Sequence, residues 1–217
     1  MVEIVSGPYA RLACFHNEKK IGGSEGLWCI GQAMHRELLN NLLLNYKLRF
    51  PDEEAVPDFI HFVNTHKDCF ERTLEIGHVT ASGWIIDPAF EKVLLVHHKK
   101  LELWLQPGGH CDGDPDVARV AKREVEEETG LSSFTLFADY IFDLDIHKIP
   151  TWKNIPEHYH FDIRFIIHAD YEQRTQVSHE SHDLRWFDFD QINQTTQDAS
   201  ILRLVEKTNL QRKTDIT

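Results

Sequence analysis

Apolar positions recur at helical spacing from about Ile30 to Leu48, through Ile30, Met34, Leu38 and Leu42, and Pro51 ends that run. A second helix is predicted from near Pro57, with Phe59, Ile60, Phe62 and Val63 on its apolar side. Ahead of these, residues 1–27 carry no clear pattern, and the Gly22-Gly23-Ser24-Glu25-Gly26 stretch reads as a turn. After Arg72 the period changes. Ser82–Ile86 and Lys92–Val96 are short β-prone runs separated by the turn-forming Asp87-Pro88-Ala89-Phe90, and Leu101–Leu105 follows as another strand. A helix is predicted over Pro115–Thr129, strands near Phe134–Ile146 and Tyr159–Ala169, a last strand near Leu184–Phe189, and a terminal helix around Ala199–Thr208. Strands on both sides of one central helix, with another helix at the end, predict a mixed sheet covered by helices on each face.

The central helix has clear punctuation. Asp114 suits the N-cap, Pro115 the first helical position, Asp116 the positive helix end, and Gly130 the left-handed residue just past the C-terminus, with Leu131 folding back on the helix. On a wheel of about 100° per residue, Glu124 and Glu128 fall within about 20° of Val117, inside the apolar sector of Val120, Ala121 and Val125. Glu127 lies at the edge of that sector, while Glu126 points outward with Arg119 and Lys122. Inward carboxylates are costly unless paired or bound to a cation. Arg123 can neutralise one. The i, i+3, i+4 spacing brings all three glutamates within reach of one point, where a hard divalent cation with oxygen ligands would offset the excess charge. An inter-element salt-bridge cluster is the alternative reading.

At these residues the chain resembles the Nudix hydrolases. Their signature runs Gly, five residues, Glu, seven residues, then Arg-Glu-aliphatic-x-Glu-Glu-x-Gly-aliphatic. Gly109 opens it here, after Trp104-Leu105-Gln106-Pro107-Gly108, and Arg123-Glu124-Val125-Glu126-Glu127-Glu128-Thr129-Gly130-Leu131 matches the second half at every defined position. One position departs: the lone Glu of the pattern falls on Pro115, with Asp114 beside it.

The resemblance implies an α/β/α sandwich with a mixed sheet, set over residues 73–210; the helical periodicity ahead of it reads as an extension over 1–72, and 211–217 as a short tail. It implies hydrolysis by water of a phosphoanhydride in a nucleoside diphosphate linked to another moiety, with Mg²⁺ or Mn²⁺ as cofactor. Glu124, Glu127 and Glu128 are then the metal ligands, joined by the backbone carbonyl of Gly108. Arg123 orients a glutamate. Glu127, Glu128 or a downstream acid serves as general base, Glu180 foremost and Asp183 next to it. A nucleotide-binding sensor without catalysis, a prenyl-diphosphate isomerase on the same fold and a His-rich binding protein for a transition metal are the rival readings, the last disfavoured by the hard-ligand cluster. The intact Arg123 and glutamates speak against the first, and the lack of a distinct catalytic cysteine outside the signature against the second.

Beyond the signature, His158, His160, Asp162 and Arg164 alternate with Tyr159, Phe161, Ile163 and Phe165, which places the four polar residues on one face of a strand. That face is a solvated sheet surface, a wall of the substrate pocket, or a transition-metal site of two histidines and an aspartate. Trp152, in a loop with Lys153 and Asn154, is placed either to stack on a base or to pack on its own surface.

Composition narrows the partners. The formal net charge of −12 argues against nonspecific nucleic-acid binding, yet permits a phosphate-bearing small molecule once a cation reverses the local charge. No run approaches the roughly 20 apolar residues of a membrane span, and the start lacks a signal-peptide pattern. Cys14, Cys29, Cys69 and Cys111 are widely spaced, as in reduced intracellular proteins. A soluble cytoplasmic protein is the expectation, with a homodimer as the candidate assembly.

Overall fold

The computed structural model describes residues 24–215. Two helices open the chain, α1 (Ser24–Arg49) and α2 (Ala55–Thr65). Eight strands and a third helix follow: β1 (Gly77–Ile86), β2 (Lys92–His98), β3 (Leu103–Leu105), β4 (Gly108–His110), α3 (Val117–Thr129), β5 (Phe134–Leu136), β6 (Asp143–Ile149), β7 (His158–Ala169) and β8 (Ser181–Asp188). Helices α4 (Phe189–Thr195) and α5 (Ala199–Asp215) close it.

Among the described residues the strands form one mixed sheet built around β1 and β7, which run parallel in the register Gly77↔Tyr159 through Ile86↔His168. The free edge of β1 is shared. Its middle pairs with β4 (Ser82↔Gly108, Thr80↔His110) and its end with β2 (Ile85↔Leu94). The far edge of β7 is shared likewise, between β6 and β5. A signature loop that begins as a strand beside β1 is thereby fixed to the centre of the sheet.

Alternation sends successive residues of β1 to opposite faces. One face carries Val79, Ala81 and Ile85, which pack with α3 through Val117, Val120, Ala121 and Val125. Helices α1 and α2 join the same core through Leu39, Leu43, Tyr46, Phe59 and Phe62. Phe161 of β7 stacks on Phe62 at 3.7 Å between ring centroids and meets Phe59 edge-on at 5.3 Å. Each such buried ring is worth roughly 1.5–3 kcal/mol of burial free energy. The other face carries Trp84, Ile86 and Ile166 beneath Phe189, Ile192, Ile201, Leu204 and Val205 of α4 and α5. This is the α/β/α arrangement with its N-terminal helical region.

Several boundaries differ from the sequence reading. The inward stripe of α1 is Leu39, Leu43 and Tyr46, and Leu38 is exposed. A helix this rich in leucine carries two apolar stripes one position apart; the second is the buried one, and Leu42 of the first packs partly buried against the same core. The side chains of Ile30 and Met34 lie outside the described residues, as do Gly22 and Gly23, while Ser24, Glu25 and Gly26 open α1 and are no turn. The expected strand over Phe134–Ile146 is broken into β5 and β6, α4 adds a short helix, and α5 continues past Leu210 where a tail was expected. Among the described residues no helix is long and apolar enough to cross a membrane.

The polar side of β7 is not a wet surface. Asp162 and Arg164 are buried, and β6 continues the pattern with Asp143 and Asp145. Arg164 binds the carboxylates of Asp143 (3.2 Å), Asp145 (3.1 Å) and Asp162 (2.8 Å). From α5, Arg203 joins Asp143 and Asp145, and Lys207 joins Asp143 and Glu53. Each buried charge is offset by an opposite one, which is the condition under which such groups can be buried.

Candidate metal and active site

Helix α3 starts two residues later than its sequence suggests. Asp116, not Asp114, is the N-cap: its Oδ1 accepts from the backbone N–H of Arg119 at 3.0 Å. Pro115 consequently precedes the helix. Asp114 accepts from the N–H of Asp116 at 2.9 Å and pairs with the Arg119 guanidinium at 2.6 Å, bracing the loop from outside. At the other end Gly130 takes the left-handed conformation (φ 67°), its N–H donating to the Glu126 carbonyl at 2.9 Å, and Leu131 packs back beside Val125.

The inward glutamates meet the Gly108–Gly109 segment. The N–H of Gly108 donates to Oε1 of Glu128 at 2.8 Å. Arg123 donates to Oε1 of Glu124 at 2.7 Å and to the His110 carbonyl at 2.8 Å, so one guanidinium ties the helix to β4. Its Nε stands 3.9 Å from Oε1 of Glu127, whose side chain is 62% exposed and open to a ligand. Glu124 and Glu128 lie deeper.

Charge in this cluster is only partly balanced. Burial pushes the Glu128 carboxyl up to about 7, against the Gly108 hydrogen bond and with help from the charges of Glu124, Glu180 and Glu127. Glu124 is raised by burial too, although Arg123 opposes the shift. The loop before β8 thus brings Glu180 near enough to act on both glutamates. It is half exposed, and its backbone carbonyl is held by the N–H of Lys99 at 3.0 Å.

A helix carrying the Arg-Glu-x-x-Glu-Glu pattern lies against the glycine segment at the centre of the mixed sheet, and the NUDIX domain profile matches residues 77–207, more than half of the chain. The chain belongs to the Nudix family. As a Nudix protein it is an enzyme of the pyrophosphohydrolase class. Its fold is similar to that of MutT protein from Methanosarcina mazei Go1, at 19% identity and a TM-score of 0.51, over 64% of this chain and 98% of that one. A NUDIX-family hydrolase from Clostridium perfringens aligns at 24% identity and a TM-score of 0.45, over 61% and 97% of the two chains. No curated protein sequence matches the chain.

Of the other residues singled out by sequence, Asp162 and Arg164 are not open to a ligand. Asp162 accepts from the hydroxyls of Thr80 (2.9 Å) and Ser82 (2.8 Å), and Arg164 is engaged by three aspartates. His158 and His160 sit at the other end of that row and are less enclosed. Trp152 lies exposed in a tight turn closed by a bridge to Ile155. Asp183 pairs with Arg185 on β8 at 2.6 Å.

Cys69 and Cys111 are buried free thiols. Burial pushes Cys69 up to about 12 and raises Cys111 as well, which keeps both thiols protonated at neutral pH. Side chains of Cys14 and Cys29 lie outside the described residues.

Sequence reasoning missed His78. It faces His160 in the β1–β7 register, and its ring is 4.8 Å from that of His110 and 4.9 Å from that of His160. A lone histidine before a strand gave no signal; only strand pairing brings it to the others. A shallow surface hollow lined by Pro88, Phe134, Thr135 and Gln173 lies at the far end of β7 and includes none of the signature residues.

Proposed function

We propose that this Nudix enzyme hydrolyses a phosphoanhydride within a nucleoside diphosphate linked to another moiety, by water attack at a Mg²⁺ or Mn²⁺ centre held by Glu124, Glu127 and Glu128. The observation that carries the reading is the converging set of three carboxylates with one arginine to balance them, one of the three pushed up to about 7 by burial and its neighbours. Hard oxygen donors fit Mg²⁺ or Mn²⁺. Held by Glu124, Glu127 and Glu128, such an ion would offset the charge that develops on the phosphates and would lower the pKa of an attacking water.

The chain's own groups supply the rest. Arg123 fixes Glu124 against β4 by bonding both its carboxylate and the His110 carbonyl, which holds the carboxylate in place for a bound ion. Gly108 holds Glu128 through its N–H, and its carbonyl is a further candidate ligand. We assign the general base to Glu180, which is half exposed and acts electrostatically on the two deeper glutamates, with Glu127 and Glu128 as its rivals for that role. A base must lie within hydrogen-bond reach of the water it deprotonates, and a loop carboxylate can make that approach. His158 and His160 are assigned to the pocket wall, with Asp162 and Arg164 as buried support behind them. The reduced thiols Cys69 and Cys111 suit a cytoplasmic protein. Exposed Leu44 and Leu48, one turn apart on α1, are the apolar positions on which a homodimer would close.

The test is a metal-dependent screen of nucleotide sugars, dinucleoside polyphosphates, ADP-ribose, NADH and nucleoside triphosphates. Glu127→Gln and Glu128→Gln should each cut the rate on the best substrate by at least about a hundredfold, with the melting temperature kept. Either variant working at near the unaltered rate would refute the assigned site.

A further inference from the structure

The face of the sheet opposite the signature glutamates carries a row of histidines, of which the hydrolytic reading uses only His158 and His160, and those as pocket wall. His147 of β6 pairs with His160 of β7, and His160 pairs with His78 of β1. His158 stands two residues before His160, and His110 of β4 faces the neighbouring position of β1. Ring centroids of His78 lie 5.0 Å from His158 and 4.9 Å from His160, and His158 and His160 are 5.2 Å apart. One ring nitrogen from each of His78, His158 and His160 lies within 4.8 Å of one from each of the others.

We propose that His78, His158 and His160 form a second metal site, selective for a transition-metal ion such as Zn²⁺ and separate from the glutamate site.

Two observations carry this. Buried ring nitrogens here lack hydrogen-bond partners: both of His78 and Nε2 of His160. The Leu74 carbonyl favours a charged His78 but misses hydrogen-bond geometry. An unpartnered buried polar atom costs about 1–3 kcal/mol, and an ion at the centre of the group would satisfy such atoms. The second observation is the tautomer. Nδ1 of His158 is 2.8 Å from the Pro156 carbonyl, which can only accept, so Nδ1 carries the hydrogen and Nε2 is left with its lone pair. A backbone carbonyl behind the ring is a recurrent support of metal-binding histidines.

Imidazole donors favour Zn²⁺, Ni²⁺, Cu²⁺ or Fe²⁺ over Mg²⁺. Nitrogens bound tetrahedrally at about 2.1 Å from one ion are about 3.4 Å apart, so a ring rotation must draw the three slightly inward. Three histidines leave a coordination position open for water or an anionic oxygen. The two sites are on opposite sides of β4, since Gly109 faces Glu124 and the next residue, His110, faces His78. They share no ligand. This inference therefore does not rest on the hydrolytic reading.

The full chain, stripped with EDTA, would be titrated with Zn²⁺ in a large excess of Mg²⁺, which occupies the carboxylates. One tightly held Zn²⁺ per chain is expected. His78→Gln and His158→Gln should each weaken it by at least about a hundredfold, and Glu127→Gln should leave it unchanged. No Zn²⁺ held against Mg²⁺, or loss of Zn²⁺ on Glu127→Gln but not on the histidine changes, would overturn the site. Should the histidine variants fail to fold, Co²⁺ added to the unaltered chain in excess Mg²⁺ decides the matter. The intense visible absorption of four- or five-coordinate nitrogen-bound Co²⁺ supports the site, and the weak spectrum of six-coordinate oxygen-bound Co²⁺ overturns it.

Discussion

Gly109 and the Glu124 carboxylate occupy space that a side chain at position 109 would need: a Cβ there would come within 2.6 Å of the carboxyl carbon. The glycine is thus a requirement of the glutamate's placement and not of backbone curvature. Gly109→Ala should leave the fold almost intact, because the atoms met are the far end of a flexible side chain. Glu124 would swing away from the site and break its bond to Arg123. We expect a rate loss of at least about tenfold and a higher Mg²⁺ requirement, with the melting temperature nearly unchanged. Unaltered metal dependence in the alanine variant would mean that Glu124 does not act from this position.

The helical region before the sheet belongs to the same core as the signature helix. Phe59 and Phe62 cover Phe161, and Nε2 of His35 is 3.2 Å from the carbonyl of Gly113, in the loop that leads into α3. A chain beginning at Glu75 would expose Val79, Ala81 and Phe161 to water. It should aggregate or melt well below the full chain. A soluble, fully active truncated protein would show that α1 and α2 are dispensable.

Acid stability should report the buried aspartates. Burial alone would raise the pKa of Asp145, yet the His147 hydrogen bond and the Arg164 and Arg203 charges hold it far below the usual carboxylate range. Unfolded, the group titrates near about 3.9. Between the folded and unfolded values the unfolded chain binds the extra proton, so stability rises with pH there. The contribution of Asp145 is present above that unfolded value and is lost as pH falls through the acid range. Asp145→Asn should cost about 2 kcal/mol at pH 7 and flatten the acid limb of stability against pH. Urea midpoints measured from pH 7 down to pH 3 would check this, and an equally steep limb in the variant would count against it.

How much of this was legible beforehand depends on the period that carries it. The glutamates of α3 were placed by the wheel because an amphipathic helix of 13 residues has phase enough to separate Glu124 and Glu128 from Glu126. Strand β4 was not, since Gly108, Gly109 and His110 carry no apolar alternation and become a strand only by pairing with β1. The polar face of β7 was visible as a period, but its burial was not. That burial depends on Asp143 and Asp145 from β6 and on Arg203 and Lys207 from α5, all distant in sequence. The same holds for His78, which joins His158 and His160 only through the parallel register of β1 and β7.

The start of α3 allows a sharper test, because two aspartates compete for one role. Asp116 caps the helix through Arg119 N–H, whereas Asp114 turns the loop onto Asp116 N–H and pairs with the exposed Arg119 side chain. Asp116→Ala should therefore cost about 1 kcal/mol of stability, the usual loss for a removed N-cap oxygen, and Asp116→Ser should recover most of it. At Asp114 the ion pair is largely solvated and worth little, about 1 kcal/mol or less. Serine there keeps an acceptor for the turn and should be nearly neutral. The rate separates a further possibility. The signature glutamate is absent at Pro115, and if Asp114 supplied that missing charge, Asp114→Ser would stay folded and lose turnover. With the Asp114 carboxylate committed to Arg119, we expect little change in rate. A stable Asp114→Ser protein slowed about a hundredfold would show that this carboxylate serves the metal site and that Arg119 merely holds it in reserve.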